Sequence, residues 1–155
     1  MELKELKKNY SILAKKYKLP SFENLNENFE IDKIDRETET PLRLIRKVMM
    51  EKLVNSMGFL DLLLNPVNAP RMYVSYSRSL SIEDRKVIDE IYSILGDVSL
   101  SSLELEIDSS EKKEAEIIKR ICSAWESVKP KFRKIMTNMK KPNKVIAKKD
   151  KTYFG

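Results

Sequence analysis

The sequence predicts an all-α protein, an irregular helical bundle of about four to six helices with a long central helix and a long, kinked C-terminal helix. Apolar residues recur at three- and four-residue spacings along most of the chain. Only three of the 155 residues are glycine, whereas β-sandwiches and barrels need glycine at several strained positions. Period-two alternation is confined to Leu103–Asp108, and a single strand has no pairing partner.

The first third of the chain predicts an amphipathic helix followed by an ordered connector. The helix ends before Leu19-Pro20, and Ser21 is placed to cap a short turn. Residues 23–39 are acidic and irregular, with Phe29, Ile31 and Ile34 as apolar anchors. The residues on the apolar face of the first helix are Leu3, Leu6, Tyr10, Leu13, Ala14 and Tyr17.

The central helix is the predicted spine of the fold. It begins at Thr40-Pro41, an N-cap followed by proline at the first helical position, and ends at Asn65-Pro66. Its length is roughly 36 Å at about 1.5 Å per residue. Its apolar face is wide enough to require cover from at least two helices, so we expect it to be buried against the first and last helices. That face comprises Leu42, Ile45, Met49, Leu53, Met57, Leu60 and Leu64.

The segment after the spine contains one clear helix between two ambiguous stretches. Residues 68–79 fit a short helix or an extended segment, and we favour the helix. Ser81 and Asp84 form a capping-box pattern that starts a helix, and Gly96 is the expected left-handed stop. The pattern leaves open whether residues 99–108 are helical or extended.

The last helix begins near Asp108–Glu111, which is another capping-box pattern. Its apolar register continues across Pro130, which predicts one kinked helix instead of two. No periodicity follows Pro142, so we predict a single helical domain at 1–141 and a basic, flexible tail at 142–155. The register of the last helix comprises Ile118, Cys122, Trp125, Lys129, Phe132, Met136 and Met139.

The absence of histidine is the main restriction on chemistry. Without it the chain has no Ser-His-Asp or Cys-His site and no carboxylate–histidine metal site. Cys122, the only cysteine, lies on an apolar helix face, where we expect a buried structural residue. We predict no catalytic residue, no cofactor and no metal. The N-terminus lacks a secretory signal and no apolar run is long enough for a membrane span, so we expect a cytoplasmic protein without a membrane partner.

Three other groups have a functional and a structural interpretation, and the structural one is favoured for each. The carboxylate pairs are candidates for Mg²⁺ binding, but a solvated face explains them better. The basic residues of the central helix fit phosphate contacts or ion pairs with the preceding acidic connector. Two tyrosines and an arginine fit a nucleic-acid-binding loop or ordinary helix packing. The groups are Glu27/Glu30, Asp32/Asp35 and Glu111/Glu114; Arg43, Arg46 and Lys47; and Tyr73, Tyr76 and Arg78.

Charge is concentrated at the two ends of the chain. Residues 1–18 carry a net charge of +4, residues 19–128 carry −7 and residues 129–155 carry +9. A lysine cluster attracts phosphates without regard to sequence, and terminal aromatic residues favour docking over simple solubility. The predicted nucleic-acid or partner-binding residues are Lys140, Lys141, Lys144, Lys148, Lys149, Lys151, Tyr153 and Phe154.

These observations predict a non-enzymatic component of a nucleic-acid-containing assembly that contacts the phosphates of RNA or DNA through its C-terminal segment. The alternative is a protein–protein adaptor or complex subunit without nucleic-acid contact. A Mg²⁺-dependent all-α enzyme is the minor alternative.

Overall fold

A computed structural model describes residues 3–34 and 39–141 of the chain. These residues form six α-helices, two short 3-10 turns at Ile31–Lys33 and Pro66–Asn68, and no strand. The all-α prediction is therefore confirmed. The helices are α1 Leu3–Tyr17, α2 Phe22–Phe29, α3 Pro41–Leu64, α4 Arg71–Ser79, α5 Ile82–Ile107 and α6 Glu111–Met139.

The three long helices α3, α5 and α6 pack against one another around the core. The antiparallel pair α5 and α6 is joined at residues 108–110. Arg120 at one end of the pair donates to Ser101, and Asn138 at the other end donates to Asp84. Helix α3 packs on both members of the pair, and α1, α2 and α4 cover further parts of its surface.

Helix α3 is the buried spine that the sequence predicts. It starts at Pro41 directly after Thr40 and ends at Leu64. It contacts both α1 and α6, as expected from the width of its apolar face. Its buried apolar residues are Leu42, Ile45, Met49, Leu53, Leu60 and Leu63.

Helix α5 extends beyond its predicted end. Ser81 and Asp84 form the predicted capping box, but Gly96 lies inside the helix without a positive φ. A glycine inside a helix costs only about 1 kcal/mol relative to alanine, and burial of the following turns outweighs that cost. Residues 99–107 are therefore helical, and the prediction of a stop at Gly96 is wrong. The buried residues of α5 lie on both sides of Gly96. They include Ile88, Ile91, Leu95, Val98, Ser102 and Leu105.

The predicted connector is more regular than its composition indicates. Residues 22–29 form α2, which Ser21 caps by accepting from the backbone N–H of Asn24, so the prediction of irregular structure from residue 23 is wrong there. The predicted anchors Phe29, Ile31 and Ile34 are all buried. The preference for a short helix within 68–79 is confirmed by α4.

Helix α6 is a single helix of 29 residues that contains Pro130. Ser110 caps its start by accepting from the backbone N–H of Lys113. The buried residues Val128 and Phe132 lie on either side of the exposed Pro130. The same apolar face thus reaches the core before and after the proline, as the sequence register predicts.

None of the helices in the described parts of the chain is long and apolar enough to cross a membrane.

Candidate nucleic-acid interface

The predicted binding residues begin where α6 ends. Lys140 forms the C-cap of α6, Lys141 follows it, and both side chains are exposed. The other predicted residues lie outside the described part of the chain, namely Lys144, Lys148, Lys149, Lys151, Tyr153 and Phe154.

Most of the C-terminal positive charge lies on folded helix. Residues 129–141 contain six lysines and arginines and no acid, whereas residues 142–155 contain four lysines and one aspartate. The predicted site started at Lys140 and so missed the helical part of the charge. The net charge of +9 over residues 129–155 was the sequence signal for these helical cations. The six residues are Lys129, Lys131, Arg133, Lys134, Lys140 and Lys141.

A groove of about 1140 Å³ lies between α3 and the C-terminal half of α6, with the Ile31–Lys33 turn at its edge. Its apolar surface is formed mainly by Leu44, Val48, Phe59, Trp125, Phe132 and Met136. Five cations and two acids line the groove, and this excess of positive charge favours an anionic ligand. These charged residues are Lys33, Lys47, Lys52, Lys129 and Arg133, with Glu30 and Glu51.

Two of these five cations form no ion pair with a described residue. Lys33 is paired with Glu30, and the ammonium of Lys47 lies 3.6 Å from a carboxylate oxygen of Glu106. The ammonium of Lys129 lies 2.8 Å from a carboxylate oxygen of Glu126. Arg133 forms no ion pair with any described residue. The ammonium of Lys52 lies 5.2 Å from the centroid of the Trp125 ring, which is a cation–π contact. The groove therefore offers positive charge next to an aromatic surface.

Asn28, at the end of α2, connects the two walls of the groove. Its backbone carbonyl accepts from the ammonium of Lys52 on α3. Its side-chain Oδ1 accepts from the ammonium of Lys129 on α6, at 2.8 Å. Asn28 is itself buried. Nothing in the sequence pattern marks this residue, because its partners lie 24 and 101 residues away.

The only thiol near the groove is poorly suited to nucleophilic chemistry. Cys122 is half-buried and packs against the core one turn before Trp125. Burial, reinforced by the negative charge of Glu126, raises the pKa of the Cys122 thiol to about 12. The thiol is therefore protonated at neutral pH, and the thiolate is the nucleophilic form.

The basic residues of the central helix have acidic partners, and in the described structure these lie on other helices. Arg46 is buried, and its guanidinium donates to Glu114 at 2.6 Å, to Glu106 at 2.7 Å and to the Ser102 hydroxyl at 2.8 Å. Arg43 also donates to Glu106, at 3.1 Å. These acids lie on α5 and α6 instead of in the described part of the connector, so the predicted pairing is corrected. The guanidinium groups of Arg46 and Arg43 lower the pKa of Glu106 to about 2.

In the carboxylate pair Glu111/Glu114, Glu111 is exposed but Glu114 is buried. The side chain of Glu114 is only 3% exposed and accepts from Arg46 and from the hydroxyl of Ser109, at 2.6 and 2.7 Å. Glu111 accepts from Lys16 and from Tyr17 of α1, at 2.8 and 2.7 Å. The prediction of a solvated face is therefore wrong for Glu114, because Glu114 binds Arg46 from another helix. Within residues 3–34 and 39–141, no three Asp, Glu or Cys side chains are grouped closely enough to hold a metal ion.

The tyrosines near the end of α3 are packing residues. Tyr73 on α4 lies edge-on to Phe59 with ring centroids 6.1 Å apart, and Tyr76 lies edge-on to Tyr73 at 6.3 Å. This confirms the helix-packing interpretation for Tyr73. Arg78 is exposed on the same helix.

Comparison of the chain with known protein families, curated proteins and solved structures gives no match. The charge and shape of the groove are therefore the basis for assigning a function.

Proposed function

We propose that this protein binds RNA or DNA with little sequence preference, as a non-enzymatic component of a nucleic-acid-containing assembly. The observation that supports this best is the run of six cations without an acid over residues 129–141, beside a groove with an excess of positive charge. The C-terminal segment 142–155 adds four lysines to the same end of α6.

The groove offers contacts both to the phosphates of a nucleic-acid strand and to its sugars and bases. Exposed cations such as Arg133 in the groove and Lys140 at the end of α6 attract phosphates and release their counterions. The half-buried ring of Trp125 and the apolar side chains beside it offer a surface for sugars and bases. Sequence preference is expected to be low, because cations and apolar surface do not read base edges.

The charge of the remaining chain also favours approach of a nucleic acid towards the C-terminal end of α6. Residues 19–128 carry a net charge of −7, so most of the body repels a polyanion. The cations of α6 and its C-terminal extension attract one. Opposed charges of this kind orient a ligand as it approaches and make binding sensitive to salt.

The test is the salt dependence of binding to a labelled single-stranded oligonucleotide, measured by fluorescence anisotropy. If four to six cations each neutralise a phosphate, log K falls against log salt with a slope of about −3 to −5. A protein that does not bind at about 50 mM salt, where electrostatic attraction is strong, would refute the proposal.

A matched pair of double variants locates the contact. Arg133→Gln/Lys140→Gln removes two cations at the groove end of α6, and Lys112→Gln/Arg120→Gln removes two exposed cations at its other end. We expect the first variant to reduce the slope by about two and the control to change it little, since each phosphate contact contributes about one. Equal effects of the two variants would contradict a site at the groove.

Deletion of residues 142–155 should weaken binding without abolishing it. The deletion removes four of the ten cations in residues 129–155 and leaves those on α6. Unchanged binding after the deletion would exclude a role of the C-terminal lysines.

The groove also supports a second candidate, an adaptor that binds an acidic amphipathic helix. Leu44, Val48 and Phe59 are only half-buried there, and 41% of Met136 is exposed. Grooves of this kind accept the apolar face of a partner helix. Purification from the native cell with and without nuclease separates the two candidates. A partner that survives nuclease and high salt would indicate the adaptor.

A further inference from the structure

Helix α5 has an exposed apolar face near its C-terminus. Leu100, Leu103 and Ile107 are 63%, 64% and 92% exposed, respectively. Their spacing of three and four residues places them on one side of the helix, opposite the buried residues Val98 and Leu105. We call Leu100, Leu103 and Ile107 the outer face of α5.

The outer face lies in an acidic part of the chain. Residues 87–110 contain six acids and no lysine or arginine. Asp97 and Glu104 are exposed beside the outer face, and neither forms an ion pair within the described structure. Apolar side chains next to unpaired carboxylates fit a segment that is both basic and apolar.

We propose that the outer face of α5 binds the C-terminal segment 142–155 of the same chain. That segment contains four lysines and one acid, with Val145 and Ile146 in the middle and Tyr153 and Phe154 at the end. Its lysines are opposite in charge to Asp97 and Glu104. Its aromatic residues offer apolar contacts to the exposed leucines and isoleucine of the outer face.

The length of the segment permits this contact. Asn138 near the end of α6 donates to Asp84 in the first turn of α5 at 2.7 Å, so the end of α6 lies beside that turn. Leu100 to Ile107 lies about 24–35 Å further along α5 at about 1.5 Å per residue. Twelve extended residues span up to about 40 Å, so Tyr153 and Phe154 reach the outer face when the segment runs along α5.

Electrostatics disfavours two alternatives, namely another surface for the segment and another occupant for the outer face. The groove between α3 and α6 starts closer to the segment, but its excess of cations repels lysines. A second copy of α5 would bring its own acids against Asp97 and Glu104, and like charges across an interface repel. The outer face combines exposed apolar surface with unpaired negative charge, and the C-terminal segment is its natural complement.

This inference uses lysines that nucleic acid would also attract, but its test contains no nucleic acid, so its failure is distinguishable from failure of the proposed function. A photoreactive phenylalanine analogue replaces Phe154 in the full-length chain, which is irradiated in dilute solution and digested with trypsin. Because no lysine or arginine lies between Lys86 and Lys112, the outer face is contained in one tryptic fragment, residues 87–112. We expect the main cross-link to join the C-terminal peptide to that fragment within one chain. The yield should fall in about 1 M salt, where the screening length is about 3 Å.

Two substitutions distinguish the outer face from other exposed apolar residues. Leu103→Lys places a cation on the outer face, and Val54→Lys makes the same change at a position on α3 that is 55% exposed. Because Leu103→Lys adds a tryptic site, its cross-link yield is summed over residues 87–103 and 104–112. We expect Leu103→Lys to lower the cross-link yield about fivefold, because it replaces an apolar contact with like-charge repulsion. Val54→Lys should leave the yield unchanged. Circular dichroism checks the fold of each variant.

A second variant, Asp97→Asn/Glu104→Gln, changes only exposed side chains and therefore leaves the core intact. It should also lower the yield of the cross-link to residues 87–112. Cross-links that map elsewhere, that join two chains or that are insensitive to both face variants would overturn the inference.

Discussion

The buried ion pair between Arg46 and Glu114 provides the strongest test of the fold. Each side chain is only 3% exposed, and they meet at 2.6 Å. Methionine at position 46 fills similar space but leaves Glu114 without a cation. Removing one partner of a buried pair costs about 3–5 kcal/mol. Since small proteins are stable by only about 5–15 kcal/mol, Arg46→Met should remove a large part of the stability.

The loss can be measured by urea denaturation, followed by circular dichroism and by the fluorescence of Trp125. With an m-value of about 2 kcal/mol/M, a loss of about 4 kcal/mol lowers the midpoint by about 2 M. Arg43→Met is the control, because Arg43 contacts Glu106 from a side chain that is 40% exposed. Its expected cost is below about 1 kcal/mol.

A double variant, Arg46→Met/Glu114→Met, tests whether the unpaired charge causes the loss. Replacing a whole buried pair by apolar residues is often neutral, so this variant should recover most of the stability. A cost below about 1 kcal/mol for Arg46→Met alone would refute the reasoning. A double variant as unstable as the single one would show that lost packing, and not charge, is responsible.

Three further predictions follow from burial and pKa values. Leu53→Ala should cost about 2–5 kcal/mol in urea denaturation, because Leu53 is completely buried; a cost below about 1 kcal/mol would contradict this. Cys122 should react slowly with a thiol reagent until the protein is denatured, because burial raises its pKa to about 12. The pKa of Glu106 is lowered from 4.5 to about 2, so the stability that it confers above about pH 4.5 is lost as the pH falls towards 2. Glu106→Gln should weaken that acid dependence in urea titrations.

The long helices could be predicted from the sequence because each has a continuous apolar face and a local start signal. The boundaries of α3 are marked by Pro41 and Pro66, and the start of α5 is marked by the capping box at Ser81. The end of α5 could not be predicted from Gly96, because glycine is only a weak helix breaker. Whether the helix continued depended on packing of the following turns against α3 and α6.

The buried charges could not be predicted, because sequence spacing does not reveal partners on other helices. Glu114 resembles an ordinary first-turn acid, yet its partner Arg46 lies 68 residues away. The groove was missed for the same reason, since its cations come from distant segments such as Lys33 and Arg133. Only the charge count over residues 129–155 indicated that this end of the chain was unusual.

The position of Asn28 also has a consequence for how the groove meets a ligand. Because Asn28 accepts from Lys52 on one wall and from Lys129 on the other, the width of the groove is set before anything binds. A ligand therefore meets a preorganised surface and loses little affinity to ordering of the protein. Asn28→Ala would release the ammonium of Lys129 but not that of Lys52, which binds the backbone carbonyl. The side-chain link between α2 and the α6 wall would be lost although no charge had changed.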